Sequence, residues 1–302
     1  MKIDLIPTAP YRHDFQVGQK AMLKRVFTQQ DFDHFAALSR DDNPTHVDPE
    51  FCKTMRFGKT LAHGMHLYST VCRMLSTMLP GPGMVQKSID MMFPGPVFTG
   101  DEVTFELELL AIDGGEARFH VLLHLPYAAP FDKGLVGETA VFLPGWHGGF
   151  TGIDEAMIPR YQSEGEALGN IRLGDAVSTT RVFTRRDIEE YASLTGDQNP
   201  LFLDRQWAIK AGFADCVVPG PLLSGMFSCL LGTELPGRGT NWMKQKIHFP
   251  APAYIGEEIT ASVKVVRIRP DKKIVNLYDT CVTDAGKLVC QAESTTLALE
   301  ML

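Results

Sequence analysis

The sequence repeats itself, because residues 26–101 align without a gap with residues 182–257 when the chain is shifted by 156 positions. Between Val26 and Phe57, 11 of 32 positions are identical to their counterparts in residues 182–213. The same offset places Gly64 over Gly220. A period of this length is unlike the solenoid repeats, whose units have about 20 to 50 residues. The 302 residues are therefore two copies of one domain.

Each copy has the same predicted order of elements. Thr28 caps a helix with the sequence QQDFDHFAALS, and a loop that contains proline follows. A second helix, GMHLYSTVCRMLSTML, has apolar residues at i, i+3, i+4 and i+7 and ends at Pro80-Gly81. Alternating runs such as DEVTFELELLAI and EEITASVKVVRI then predict strands. This order predicts an α+β fold with two tandem antiparallel sheets, each wrapped around a long central helix.

The two predicted domains, residues 1–145 and 171–302, differ in one motif, and residues 146–170, which lack periodicity, form the predicted linker. Residues 39–65 of the first domain are SRDDNPTHVDPEFCKTMRFGKTLAHGM, and the second domain has TGDQNPLFLDRQWAIKAGFADCVVPGP in the same place. The second copy keeps the aspartate, asparagine and glycine but replaces His46 with Phe and His63 with Pro. The fold therefore requires neither histidine, and only the first domain is predicted to carry an active site.

Asp41 and His46 lie five positions apart across an Asn-Pro turn, so their side chains can converge on one water molecule. An aspartate, with an unperturbed pKa of about 3.9, starts as a carboxylate, and a histidine at about 6.5 exchanges protons near neutral pH. Gly64 opens the buried helix and offers a backbone N–H to a developing oxyanion. Asp41 also has a counterpart, Asp197, so a structural role in the turn stays open.

The run DxNPxHxD, followed by FG and then by HGM at the start of a helix, resembles the MaoC-like, (R)-specific enoyl-CoA hydratase family. The resemblance implies a double hotdog fold and the reversible hydration of trans-2-enoyl thioesters to (R)-3-hydroxyacyl thioesters. It also implies that Asp41 and His46 hold the water and that Gly64 donates to the thioester oxygen, while Asn43 orients the site. The intact motif lies in the first repeat, as in bacterial tandem members, whereas eukaryotic tandem hydratases carry it in the second.

Other roles for the motif residues stay open. His63 could support the site or line its mouth and contact the substrate. Asn43 and Asp48 have counterparts in the second copy, which favours an architectural role for both. A metal site formed by Asp41, His46 and Asp48 would need a fourth ligand that the sequence does not offer, so no metal is predicted.

Basic residues near the buried helix could bind the phosphates of coenzyme A, since phosphate is recognised by Lys and Arg side chains. The substrate-binding candidates of the first copy are Lys53, Arg56 and Lys59. Those of the second copy are Lys244 and Lys246. No glycine-rich phosphate loop of the GxxxxGK[ST] or GxGxxG kind occurs, so no nucleotide cofactor is predicted, and hydration requires none.

The composition limits the partners and the location. A formal net charge of −7 argues against a nucleic-acid partner. The sequence has no run of 18 apolar residues, and its N-terminus MKIDLIPTAPYRHDF has no apolar signal core, so neither a membrane span nor a signal peptide is expected. The six cysteines form no CxxC pair, which favours reduced thiols in the cytoplasm.

The predicted partner is an acyl-CoA or acyl-carrier-protein thioester. The protein would be a monomeric pseudo-dimer or a homodimer, because a double hotdog already contains both halves of a single-domain dimer. Two other functions stay open. One is the hydrolysis of acyl thioesters, and the other is the binding of acyl thioesters without catalysis.

Overall fold

The computed structural model describes residues 15–146, 150, 152–161 and 163–298. The N-terminal residues on which the absence of a signal peptide was predicted lie almost entirely outside this part. No helix in the described part is long and apolar enough to cross a membrane.

The described residues of the first half form five strands and four helices. They are β1 (Lys20–Val26), α1 (Gln29–Ser39), α2 (Pro44–Val47), α3 (Pro49–Lys53), α4 (Gly64–Thr77), β2 (Val85–Met92), β3 (Glu102–Asp113), β4 (Glu116–His124) and β5 (Lys133–Phe142). The predicted linker contains a 3₁₀ turn, Glu155–Met157, and a short strand, β6 (Ala167–Leu168), which pairs with β7 (Ile171–Arg172).

The second half repeats the first. Its elements are β8 (Ala176–Val182), α5 (Arg185–Thr195), α6 (Pro200–Leu203), α7 (Arg205–Lys210), α8 (Gly220–Thr233), β9 (Asn241–His248), β10 (Glu258–Arg269), a 3₁₀ turn (Pro270–Lys272), β11 (Ile274–Thr283) and β12 (Leu288–Leu297). The first three strands and all four helices given for each half begin 156 residues apart, as in β1 and β8 or α4 and α8. The sequence period is therefore also the structural period.

The two half-sheets join into one antiparallel sheet of ten strands, in the order β1-β3-β4-β5-β2-β9-β12-β11-β10-β8. The junction is the pairing of β2 with β9, in which Ile89 lies opposite Ile247. The prediction of two sheets is corrected to two halves of one sheet. α4 packs on β3, α8 packs on β10, and the two helices contact each other. The antiparallel sheet with its two buried helices is the predicted α+β double hotdog.

The buried helices differ in polarity although they occupy equivalent places. In α4 the buried residues include His66, Ser69 and Thr70, whereas α8 is apolar on nearly every side. Because α8 is surrounded by protein, its apolar residues are removed from water on all faces. The loops that precede α4 and α8 carry the motif and its degenerate copy, and residues of both halves line the cavity beside each loop.

Candidate active site

The motif loop begins where α1 ends. The last residue before the loop, Arg40, takes a left-handed conformation with φ of 64°, which turns the chain toward Asp41. Asn43 then caps α2, because its side-chain oxygen accepts a hydrogen bond from the N–H of Thr45 at 3.4 Å. Pro44 at the first helical position needs no hydrogen-bond partner for its nitrogen. The Asn-Pro pair thus starts a helix of one turn, which carries His46.

Asp41 is buried, with 1% of its surface exposed, and both of its carboxylate oxygens accept hydrogen bonds. Oδ1 accepts from the backbone N–H of Asn43 at 3.3 Å, and Oδ2 accepts from the hydroxyl of Ser228 at 2.5 Å. Burial raises the pKa of Asp41, and the nearby His46 opposes this shift. Asp41 therefore has the structural role in the turn that its counterpart suggested, and it also faces the cavity.

His46 is held in one tautomer. Its Nδ1 lies 2.7 Å from the carbonyl oxygen of Leu61, which can only accept, so Nδ1 carries the proton. Nε2 is thereby left with a lone pair that can take a proton. Burial lowers the pKa of His46, which keeps the imidazole neutral at physiological pH.

His63 lies behind His46 and not on the cavity wall. The two rings stack with their centroids 3.7 Å apart and their planes at 29°. Nε2 of His63 donates to the backbone carbonyl of Asp41 at 3.0 Å, while Nδ1 has no hydrogen-bond partner among the described residues. Of the two roles predicted for His63, the structure places it to support the site by joining the backbone of Asp41 to the ring of His46.

Gly64 is the first residue of α4, and its backbone N–H has no acceptor within the helix. A Cβ at this position would lie 2.8 Å from the ring of Phe93, so no larger residue fits without moving that ring. Glycine lets the ring of Phe93 pack against the N-terminus of α4, which lies on the cavity wall.

The cavity has a volume of about 260 Å³, and both halves form its wall. The first half contributes Asp41, His46 and Gly64, together with apolar residues that include Leu67, Phe93 and Val97. The second half contributes Ser228, Leu231, Thr240, Asn241 and Trp242. A small polar end beside the carboxylate and a larger apolar surface suit a substrate with one reactive polar group on an apolar chain.

The equivalent cavity of the second half has a volume of only about 30 Å³ and is lined by Phe202 and Gly220 among others. Asp197 is fully buried there and accepts hydrogen bonds from Ser76 at 2.5 Å and Tyr191 at 3.4 Å. Ser76 is the counterpart of Gly232, and a Cβ on Gly232 would lie 2.9 Å from Asp41 Oδ1. The space that stays open beside Asp41 is therefore filled by side chains beside Asp197.

The carboxylate and the two histidines are close enough to suggest a metal site, since their ligand atoms lie within 4.8 Å of one another. The stacked imidazoles do not fit one, because their lone pairs lie in nearly parallel planes and do not converge on a single ion. Asp48, the third ligand of the metal alternative, caps α3 by accepting from the N–H groups of Glu50 and Phe51.

The predicted phosphate-binding residues do not come together at the cavity. Arg56 lines it, with its guanidinium 4.8 Å from the ring of Phe57. Lys53 and Lys59 are not on the wall, and Lys53 is paired with Glu50 at 2.6 Å. Lys244 is paired with Asp90 at 3.1 Å. Lys246 lines a separate groove of about 480 Å³.

Ser228 and Gly232 of α8, which lie next to the Asp41 carboxylate, were not predicted from the sequence. Their sequence signal is a difference between the copies, because the 156-residue offset places Cys72 at the position of Ser228 and Ser76 at that of Gly232. Both residues lie outside the motif segments 39–65 and 195–221.

The fold and the site define a tandem hotdog protein with a buried carboxylate and histidine on one cavity wall of its first half. A sequence model of the family described as MaoC like domain matches residues 14–123 and 171–285, so the chain belongs to this family.

Curated relatives match a length close to one half of the chain. A mitochondrial 3-hydroxyacyl-(acyl-carrier-protein) dehydratase of Solanum lycopersicum is 35% identical over 139 residues, which cover 45% of this chain and 83% of the relative. The (R)-specific enoyl-CoA hydratase of Aeromonas caviae is 34% identical over 125 residues, which cover 41% and 93%.

Solved structures match the whole fold. A MaoC-like dehydratase superposes with a TM-score of 0.72 at 18% identity and covers 92% of this chain and 97% of its own. A Mycobacterium tuberculosis protein with a double hotdog fold gives 0.72 at 14% identity and covers 95% and 98%. The fold predicted from the repeat is confirmed.

Proposed function

We propose that the chain catalyses the reversible hydration of trans-2-enoyl thioesters to (R)-3-hydroxyacyl thioesters, at one site in its first half. The observation that carries the proposal is the meeting of the Asp41 carboxylate, the His46 imidazole and the N-terminus of α4 on one cavity wall. The names of the relatives support the reaction and its stereochemistry.

The proposed mechanism places a water molecule between Asp41 and His46. As the water oxygen bonds C3 of the enoyl group, its proton passes to the free Nε2 of His46. The electron pair of the C2–C3 double bond moves onto the thioester oxygen, where the N–H of Gly64 stabilises it. C2 then takes this proton from Nε2 of the His46 imidazolium, which returns the dyad to its starting state. The Asp41 carboxylate, held by the hydroxyl of Ser228, orients the water and stabilises the imidazolium.

The test is the loss of enoyl-thioester ultraviolet absorbance with a panel of trans-2-enoyl-CoA and enoyl carrier-protein substrates. Hydration removes the conjugated double bond and releases no thiol. Release of free thiol would instead identify a hydrolase, and tight binding without turnover would identify a binding protein. Unchanged absorbance with every thioester would contradict the proposal. The carrier, the cytoplasmic location and the monomeric or dimeric state stay predictions.

Replacing Ser228 with alanine should lower kcat about 10- to 100-fold, because a hydrogen bond to a charged group contributes about 1.5 to 3 kcal/mol. The affected bond is the one from the hydroxyl to Asp41 Oδ2. Ser76→Ala is the matched control, since Ser76 makes the equivalent bond to Asp197 in the second half. Steady-state rates of the two variants test whether the bond to Asp41 matters for catalysis. Equal losses of activity in Ser228→Ala and Ser76→Ala would show that it has no special role.

A further inference from the structure

Residues of the second half form hydrogen bonds with most residues of the segment 38–43, here called the catalytic loop. Arg181 donates to the carbonyl of Leu38, Cys229 to that of Arg40 and Ser228 to the Asp41 carboxylate, while Gly239 and Thr240 bond the side chain of Asn43. The half that lacks both histidines therefore shapes the loop that carries the reactive carboxylate.

Arg181 makes the first of these contacts from β8, with 6% of its surface exposed. Its Nη1 donates to the carbonyl of Leu38 at 2.6 Å, and its Nη2 donates to the carboxylate of Asp187 at 2.7 Å. The guanidinium also lies 4.4 Å from the ring centre of Phe183. These three contacts fix the orientation of the Arg181 guanidinium, so its hydrogen bond to the Leu38 carbonyl has a defined geometry.

The carbonyl of Leu38 lies in the last turn of α1, where carbonyl groups lack partners within the helix and the dipole is negative. α1 has no basic residue in this turn, so Arg181 supplies the missing cation from the other half. Arg40 follows in a left-handed conformation, which costs a residue with a Cβ roughly 1 kcal/mol. The chain just before Asp41 thus adopts an unfavourable conformation that outside contacts must hold.

The second half has the reciprocal contact in a weaker form. Arg25 donates to the carbonyl of Leu194 at 3.2 Å and shares its guanidinium with Thr70. The left-handed residue there is Gly196, which takes a positive φ without strain. The tighter contact and the strained turn both occur in the half that carries the histidines.

We propose that Arg181 is a positioning residue for the hydration reaction proposed above. By fixing the backbone at the end of α1, it sets the direction in which the chain reaches Asp41 and so places the carboxylate against His46. The proposal rests on the proposed function for its kinetic consequences, but its structural part stands without it.

The kinetic test compares Arg181→Met with Arg181→Lys and with Val263→Ala. Val263 is buried on β10, where it lies opposite Val177 of β8, so its truncation destabilises the same part of the sheet and removes no hydrogen bond to the catalytic loop. Arg181→Met should lower kcat about 100-fold and change KM less than about threefold, because a small displacement of a reacting group has this effect on rate. Arg181→Lys should recover part of the loss, and Val263→Ala should retain kcat.

Hydrogen exchange provides a readout that does not need activity. Arg181→Met should raise amide exchange in residues 38–46 and leave residues 194–202 unchanged, and Val263→Ala should raise neither. Equal kcat in Arg181→Met and Val263→Ala, or unchanged exchange in residues 38–46, would show that Arg181 only stabilises the fold. If Arg181→Met does not fold, Arg181→Lys gives the same comparison. If the wild-type protein is inactive on every thioester, the proposed function is wrong. The exchange data would still test whether Arg181 fixes the conformation of residues 38–46.

Discussion

Replacing His46 with phenylalanine should abolish the hydration of enoyl thioesters, with a loss of about 10²–10⁴-fold or more, and leave the fold nearly intact. The loss is expected because Phe has no nitrogen to take the proton of the attacking water. The fold should persist because Phe202 occupies the equivalent place in the second half. Steady-state rates and thermal melting curves of the same preparation measure both effects.

The matched pair Asp41→Asn and Asp197→Asn serves as the control for this result. Both aspartates are buried and accept from the backbone two residues later, so the structural cost of the two changes should be similar. Only Asp41→Asn should remove activity, because the second cavity has no histidine and almost no volume. A large loss of melting temperature in His46→Phe would make His46 a structural residue, and equal loss of activity in both asparagine variants would disprove a single site.

Replacing Asp279 with asparagine should increase the free energy of unfolding by about 2 to 4 kcal/mol at pH 8.5 and lower it by about 1 to 2 kcal/mol at pH 4. Asp279 is fully buried, and burial raises its pKa to about 8. Ser294 donates to Oδ2, while Oδ1 has no hydrogen-bond partner in the described part of the chain. The carboxyl thus binds its proton more tightly in the folded protein than in the unfolded chain, where its pKa is about 3.9.

The sign follows from this difference in proton binding. The wild-type protein should lose stability as the pH rises from about 4 to about 8, by up to about 1.4 kcal/mol per pH unit from this group. Asparagine removes the titration but leaves a buried amide, which offsets about 1 to 3 kcal/mol of the gain. Urea unfolding of both proteins at pH 4, 7 and 8.5 tests this prediction. If the difference in the free energy of unfolding between the two proteins is the same at all three pH values, Asp279 does not titrate in the folded protein over this range.

Much of the fold was predictable because the repeat doubles the evidence for each element. For example, α4 begins at Gly64 and α8 begins at Gly220, and the 156-residue offset aligns the two glycines. In both halves a Phe ring packs closely against this glycine. The union of the half-sheets was not predictable. β2 and β9 join through backbone hydrogen bonds, and a strand that pairs with another strand has the same side-chain pattern as one at an edge.

The site was predictable where the chemistry lies within one short segment, as for Asp41, His46 and Gly64, which line one cavity. The supporting residues were not, because Ser228 reaches Asp41 from a helix that lies 187 residues away in the sequence. Its only signal is a serine where the first copy has a cysteine, and such a difference has no meaning until the contact is known. The assignment of the reactive groups remains a prediction that activity must test.

The most direct test of a single hydratase site is an absorbance assay of trans-2-enoyl-CoA with the wild-type protein, Asp41→Asn, His46→Phe and Asp197→Asn in parallel. We predict that the wild type and Asp197→Asn remove the enoyl absorbance and form the (R)-3-hydroxyacyl thioester, and that the other two variants do not. Absorbance loss that persists in both Asp41→Asn and His46→Phe would contradict the account, because the reaction would then proceed without the proposed dyad.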